Sequence, residues 1–134
     1  MAYKAYFDGS CYNNTCGIGF FILDSSGLIV HKTSSNCGRG DALKAEYAAF
    51  FSLLQTLRNL EIEKVTIFGD SQTVIYQVRG LVNIRRTNRF LPIIDEARDI
   101  LAARPTWQLV WIPRGENGLA DILATEGLAK VESV

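Results

Sequence analysis

The 134-residue sequence predicts an α/β fold, an antiparallel three-stranded meander followed by strands that alternate with helices. Three observations carry this. The first 35 residues hold three apolar, aromatic-rich or β-branched runs separated by turn-type residues. Leu43, Tyr47, Phe50, Leu54 and Leu57 recur at the alternating four- and three-residue spacing of one helix stripe. Beyond that stripe, short apolar runs alternate with helical segments, which implies parallel pairing of the later strands.

Taken in order, residues 3–8 (YKAYFD) alternate loosely and are aromatic-rich, as strands are. Residues 9–17, rich in Gly, Ser, Asn and Thr, read as a turn region. GIGFFILD (17–24) is a second strand, SSG (25–27) a tight turn, and LIVHKTSS (28–35) a third strand. NCGRGD is a loop, and Asp41 is placed to cap the long helix. KVTIF (64–68) is a short strand running into Asp70, and SQTVIYQVRG is a short helix ended by Gly80. A third helix spans roughly 88–103, and Pro105 stops it. TWQLVWIP (106–113) is the fifth strand and NGLADILATEGLAK (117–130) the last helix. Trp107 and Trp111 alternate on the fifth strand as core residues, and His31 faces solvent on the third. Without repeat, linker or low-complexity stretch, 1–134 reads as one domain long enough for a hydrophobic core.

Composition narrows the function classes. Net charge is zero, with 14 basic and 14 acidic residues, so the balance gives no support to a dedicated nucleic-acid-binding domain. A local basic patch is what touches phosphates, and Arg79, Arg85, Arg86 and Arg89 form the densest one. Three cysteines, Cys11, Cys16 and Cys37, with no CxxC pair, read as reduced thiols in the cytoplasm. His31 is the sole histidine, so no zinc site is expected. The start MAYKAYFDGS lacks the apolar centre of a secretory signal, and no window approaches a membrane span.

Four acids occupy places that a simple core-and-surface account does not expect. Asp8 follows an aromatic strand, Glu46 lies beside the apolar stripe of the long helix, Asp70 ends a buried-type strand, and Asp121 interrupts an apolar helix. Taken singly, these four read as a turn residue, a helix-dipole partner, an N-cap and a solvated helix position. Asp70, at the carboxyl end of a strand, stands where open α/β sheets bind ligands.

Together, FDGS with Asp8, AEYAAF with Glu46, GDSQTV with Asp70 and ENGLAD with Asp121 form a pattern. Over nearly its full length the chain resembles the ribonuclease H family, type 1. DSQTVIYQVRG and IPRGENGLADILA look most like the histidine-less branch found in archaea, plants and some bacteria. The resemblance implies a five-stranded mixed sheet, three antiparallel strands then two parallel ones, flanked by helices. It implies that Asp8, Glu46, Asp70 and Asp121 converge to bind two divalent ions, normally magnesium, with manganese as a substitute. Hard cations want such oxygen ligands, and four close carboxylates repel one another without them. It further implies substrate contacts at Cys11, Asn14 and Gln72. Arg85, Arg86, Arg89 and Arg114 are candidate phosphate contacts beside solvated-surface readings of each.

The chain departs from the family pattern in three places. Asp41, Ala42 and Leu43 stand where the family often has groove-reading asparagines, and Ala and Leu cannot hydrogen-bond bases. The loop PRGEN carries Arg114 where bacterial members have a histidine, and residues 81–90 are too short for the basic handle of some members. The implied function is a metal-dependent endonuclease that cleaves the RNA strand of RNA–DNA hybrids, with the hybrid as partner and no obligate protein partner. The alternative is a ribonuclease H-like binding or regulatory module with weak or no activity. A third reading, another nucleic-acid substrate on the same fold, has the short length against a transposase.

Overall fold

A computed structural model describes residues 2–130. The elements run β1 (Tyr3–Tyr12), β2 (Thr15–Leu23), β3 (Ile29–Arg39), α1 (Ala42–Asn59), β4 (Val65–Gly69), α2 (Gln72–Val78), α3 (Leu91–Ala102), β5 (Trp107–Trp111) and α4 (Gly118–Gly127). A 3₁₀ turn, Arg114–Glu116, precedes α4. The strands form one sheet in the order β3-β2-β1-β4-β5. The first three pair antiparallel, and β4 and β5 join parallel to β1 and to each other. The predicted mixed sheet is thus the observed one.

Element boundaries differ from the sequence reading where polar composition conceals strand. β1 continues through Gly9–Tyr12, and the connection to β2 is only Asn13 and Asn14, both at positive φ. Two such residues make the tight hairpin turn whose twist matches the flanking strands. β3 runs on through the supposed loop to Arg39, paired with β2 as far as Thr15. As the sheet edge it needs no apolar outer flank. α3 begins later than expected, at Leu91, because Asn88 Oδ1 accepts the Phe90 N–H and holds a turn there.

α1 buries Ala45, Tyr47, Ala49, Phe50, Leu53, Leu54 and Leu57, and from Tyr47 onward these pack in one cluster with Ala5, Phe7, Ile67 and Leu109 of the sheet. Asp41 caps α1 as expected, accepting the Lys44 N–H at 3.0 Å. Trp107 is buried in the same cluster and Trp111 packs against it. A smaller cluster of Phe21, Ala120 and Leu123 lies under α4 on β2. There α4 rests on bare backbone: a Cβ on Gly19 would stand 2.3 Å from Ala124 N, and one on Gly17 2.2 Å from Ala124 O. The far end of α4 is tied to the edge strand by Ser34 Oγ donating to Leu123 O (2.6 Å), Asn36 Nδ2 to Lys130 O (3.1 Å) and Lys130 Nζ to Ser34 O (2.9 Å).

Two expectations are overturned. His31 does not simply face solvent: it is half-buried, its ring stacks on Phe20 at 5.7 Å, and its Nε2 lies 2.9 Å from Thr33 Oγ1. Cys11 and Cys16 are not reduced thiols but a disulfide. The two-residue turn places them directly opposite each other across β1 and β2, 4.2 Å apart at Cα, the spacing of a non-hydrogen-bonded pair in which side chains lie closest. The reduced-thiol argument for the cytoplasm falls with that expectation. Among the described residues no helix is long and apolar enough to cross a membrane.

Candidate active site

Parallel pairing is what assembles the site. β1 and β4 are in register through Phe7 and Gly69, so the next residues, Asp8 and Asp70, emerge side by side. α1 supplies Glu46 across Gly9, where a Cβ would come within 2.3 Å of Ala45 C and 2.5 Å of Glu46 N. Only glycine lets strand and helix approach so closely. The Gly9 N–H then donates to Asp8 Oδ1 and to Glu46 Oε1, both at 3.0 Å.

One carboxylate oxygen from each of Asp8, Glu46 and Asp70 lies within 4.8 Å of the others. Asp8 is buried and the other two half-buried. Among the described residues no basic side chain forms an ion pair with them, and Glu46 Oε2 is buried with no hydrogen-bond partner. A buried carboxylate oxygen without a partner is costly. An all-oxygen cluster with one ligand atom unsatisfied fits a hard divalent cation.

The electrostatics agree. Burial pushes the Asp8 carboxyl up to about 6, with the charges of Asp70 and Asp121 adding to it, against lowering contacts from Glu46 and Gly9. Glu46 is pushed well above the usual carboxylate range, first by burial and then by the Asp8 carboxyl beside it. Burial and mutual repulsion thus oppose the charged forms of Asp8 and Glu46, a cost that a bound cation would relieve.

Asp121 stands outside the three-residue cluster. It is exposed on the first turn of α4, within electrostatic reach of Asp8. A groove of about 340 Å³ opens over the cluster, flanked by Ala42, Leu43, Ser71, Thr73 and Arg114. Arg114 is exposed at its edge. Ala42 and Leu43 line it where hydrogen-bonding side chains were absent from the sequence.

The other candidates are less gathered. Cys11 is engaged in the disulfide, so it can meet a substrate only as part of that bridge. Asn14 is exposed in the hairpin turn, its carbonyl accepting the Gly40 N–H. Gln72 is exposed and lines a separate groove with Tyr76, Gln77 and Val82. Arg85 and Arg86 are exposed. Arg89 is paired with Asp41 at the start of α1 and lies 4.5 Å over the Phe90 ring, so its charge is partly answered.

Sequence reasoning missed two residues that hold Asp70. Trp111 Nε1 donates to the Asp70 carbonyl at 3.1 Å. Asn117, buried between the 3₁₀ turn and α4, donates through Nδ2 to Asp70 Oδ2 at 3.1 Å and to the Phe7 carbonyl at 2.9 Å. An asparagine ahead of a helix reads as an N-cap, yet this one makes no side-chain cap bond. Its one legible signal was its place within ENGLAD.

A family model described as "Reverse transcriptase-like" matches residues 6–127. Ribonuclease HI of Halobacterium salinarum is 29% identical over 126 residues, 92% of this chain. The chain spans 63% of that relative's length. The crystal structure of RNase H1 from the same archaeon superposes with a TM-score of 0.87 at 28% identity, covering 96% of this chain and 98% of that one. LC11-RNase H1, isolated from compost by a metagenomic approach, gives 0.85 at 27% identity, covering 95% of each chain. The same protein in complex with RNA/DNA hybrid gives 0.82 at 26% identity, with 94% and 96% covered. The chain belongs to the ribonuclease H family, type 1, within the reverse transcriptase-like group.

Proposed function

We propose that the chain is a divalent-metal-dependent endonuclease that hydrolyses the RNA strand of RNA–DNA hybrids. The observation that carries this is the convergence of Asp8, Glu46 and Asp70, with Glu46 Oε2 buried and unpartnered, under an open groove. The hybrid complex of a relative supports the substrate. When bound, two divalent ions, magnesium by preference and manganese as a substitute, supply activation of the attacking water and stabilisation of the leaving oxygen.

The chain's own residues do the rest. Asp8, Glu46 and Asp70 hold the cation site, and Asp121 adds a carboxylate from α4. The Gly9 N–H fixes the facing oxygens of Asp8 and Glu46. Arg114 offers a positive charge to a phosphate entering the groove. Arg85 and Arg86 extend phosphate contacts away from the site, with Arg89 joining when it leaves Asp41. Asn14, Gln72 and the hairpin carrying Cys11 flank the path of the hybrid.

A second reading rests on Ala42 and Leu43, which give the groove wall no donor or acceptor side chain. It makes the chain a hybrid-binding module of weak or no activity. Incubation with labelled RNA–DNA hybrid, double-stranded RNA and double-stranded DNA, in magnesium and in manganese, separates the two. Hybrid cleavage abolished in Asp70→Asn supports the endonuclease. Hybrid binding without cleavage in either metal supports the module, and cleavage that survives Asp70→Asn removes the metal-site assignment.

A further inference from the structure

We infer that Asn117 is a positioning residue that sets the relative placement of three of the four carboxylates through a single buried amide. This deepens the proposed cation site and rests on it. Asn117 is 1% exposed. Its Nδ2 donates to the Phe7 carbonyl, which immediately precedes Asp8, and to Asp70 Oδ2. Its own carbonyl accepts the Asp121 N–H at 3.1 Å, so the turn that starts α4 is referred to the same residue. β1, the end of β4 and the start of α4 are thereby joined at one side chain.

Chemistry fixes which way the amide points. Phe7 O and Asp70 Oδ2 are both acceptors, so only the NH₂ group can face them, and both of its hydrogens are used. Asp70 Oδ2 is thereby engaged, and its rotation about Cβ–Cγ is restrained with Oδ1 left for a cation. The other end of the amide, Asn117 Oδ1, is buried without a partner, as is Glu46 Oε2. Among the described residues these are the two buried side-chain polar atoms so left, and both belong to this site. A residue serving only stability has little reason to keep a buried acceptor unmet. Partners that orient metal ligands carry metal affinity and rate without touching the metal.

The test reads cation binding separately from cleavage. In Asn117→Ala, the dissociation constant for magnesium, measured by calorimetry, rises on the order of tenfold or more. kcat on the hybrid falls by a similar factor, while KM for the hybrid stays within about twofold, because the groove walls are unchanged. The comparison variant Asn36→Ala loosens α4 at its far end. It lowers the melting temperature and leaves magnesium affinity unaltered. Should Asn117→Ala fail to fold, the wild-type side-chain amide resonance of Asn117 decides. It shifts on magnesium titration with the midpoint of the calorimetric isotherm.

Magnesium affinity and kcat that are unchanged in a folded Asn117→Ala overturn the inference, as does an amide resonance that ignores magnesium. Loss of magnesium affinity in Asn117→Ala, with a wild-type chain that binds magnesium but cuts no hybrid, supports the inference while removing the endonuclease reading. A wild-type chain that binds no divalent ion overturns both.

Discussion

Gly9→Ala tests how the site is assembled. The added Cβ would lie 2.3 Å from Ala45 C, 2.5 Å from Glu46 N and 2.6 Å from Ala45 O, all backbone atoms that cannot turn aside. Restoring an ordinary contact near 3.4 Å requires β1 and α1 to separate by about 1 Å. Overpacking of this kind typically costs about 1–3 kcal/mol, and backbone contacts place Gly9→Ala at the upper end. The separation falls between Asp8 and Glu46 and stretches the Gly9 N–H bonds to both. A misplacement near 1 Å at reacting groups costs about 10²-fold in rate. Urea unfolding gives the first quantity and single-turnover cleavage of labelled hybrid the second. A variant with wild-type stability and rate would refute the close approach of strand and helix as the device that builds the site.

Other outcomes follow from the same contacts. Asp8 and Glu46 hold protons in the folded chain that they release when unfolded. Their stabilising contribution is therefore full below about pH 4 and is lost as pH rises through 6 and beyond. Metal-free thermal melts should show stability falling from pH 5 upward, by on the order of 2 kcal/mol from Asp8 alone, and magnesium should reverse the fall; stability rising across that range contradicts the burial account. Trp111 bonds the Asp70 backbone while Trp107 bonds Ile62 on a different loop. Tryptophan fluorescence should therefore respond to magnesium in Trp107→Phe but not in Trp111→Phe, and the reverse pattern would misplace the site. Peptide mapping under non-reducing conditions should recover Cys11 and Cys16 linked, with neither alkylated until reductant is added; alkylation of both beforehand rules out the bridge.

Much of this was legible because the strongest signals are local. The stripe from Leu43 to Leu57 fixes α1, and strand–helix alternation after it implies the parallel half of the sheet. Asp8 and Asp70 were readable because each directly follows apolar strand residues. The rest depends on contacts that no local pattern carries. Gly9 looked like a turn residue yet sits within β1, and nothing in the pattern marked that the helices packed over Gly9, Gly17 and Gly19 leave no room for a side chain. The polar stretch ending at Arg39 looked like loop because edge strands need no apolar outer flank. The bridge between Cys11 and Cys16 depended on a turn of just Asn13 and Asn14. Asn117 was concealed by a residue type that usually caps helices and here turns inward. Asp121 was expected beside the other three acids; it lies on the exposed first turn of α4, outside their three-residue cluster but within electrostatic reach of Asp8.

The central claim is that Asp8, Glu46 and Asp70 together hold a divalent cation under the groove. Crystals soaked in manganese and measured for anomalous scattering test it most directly. The account predicts a peak bounded by the carboxylates of Asp8, Glu46 and Asp70, absent in Asp70→Asn. Manganese bound elsewhere with these three carboxylates unligated would contradict it.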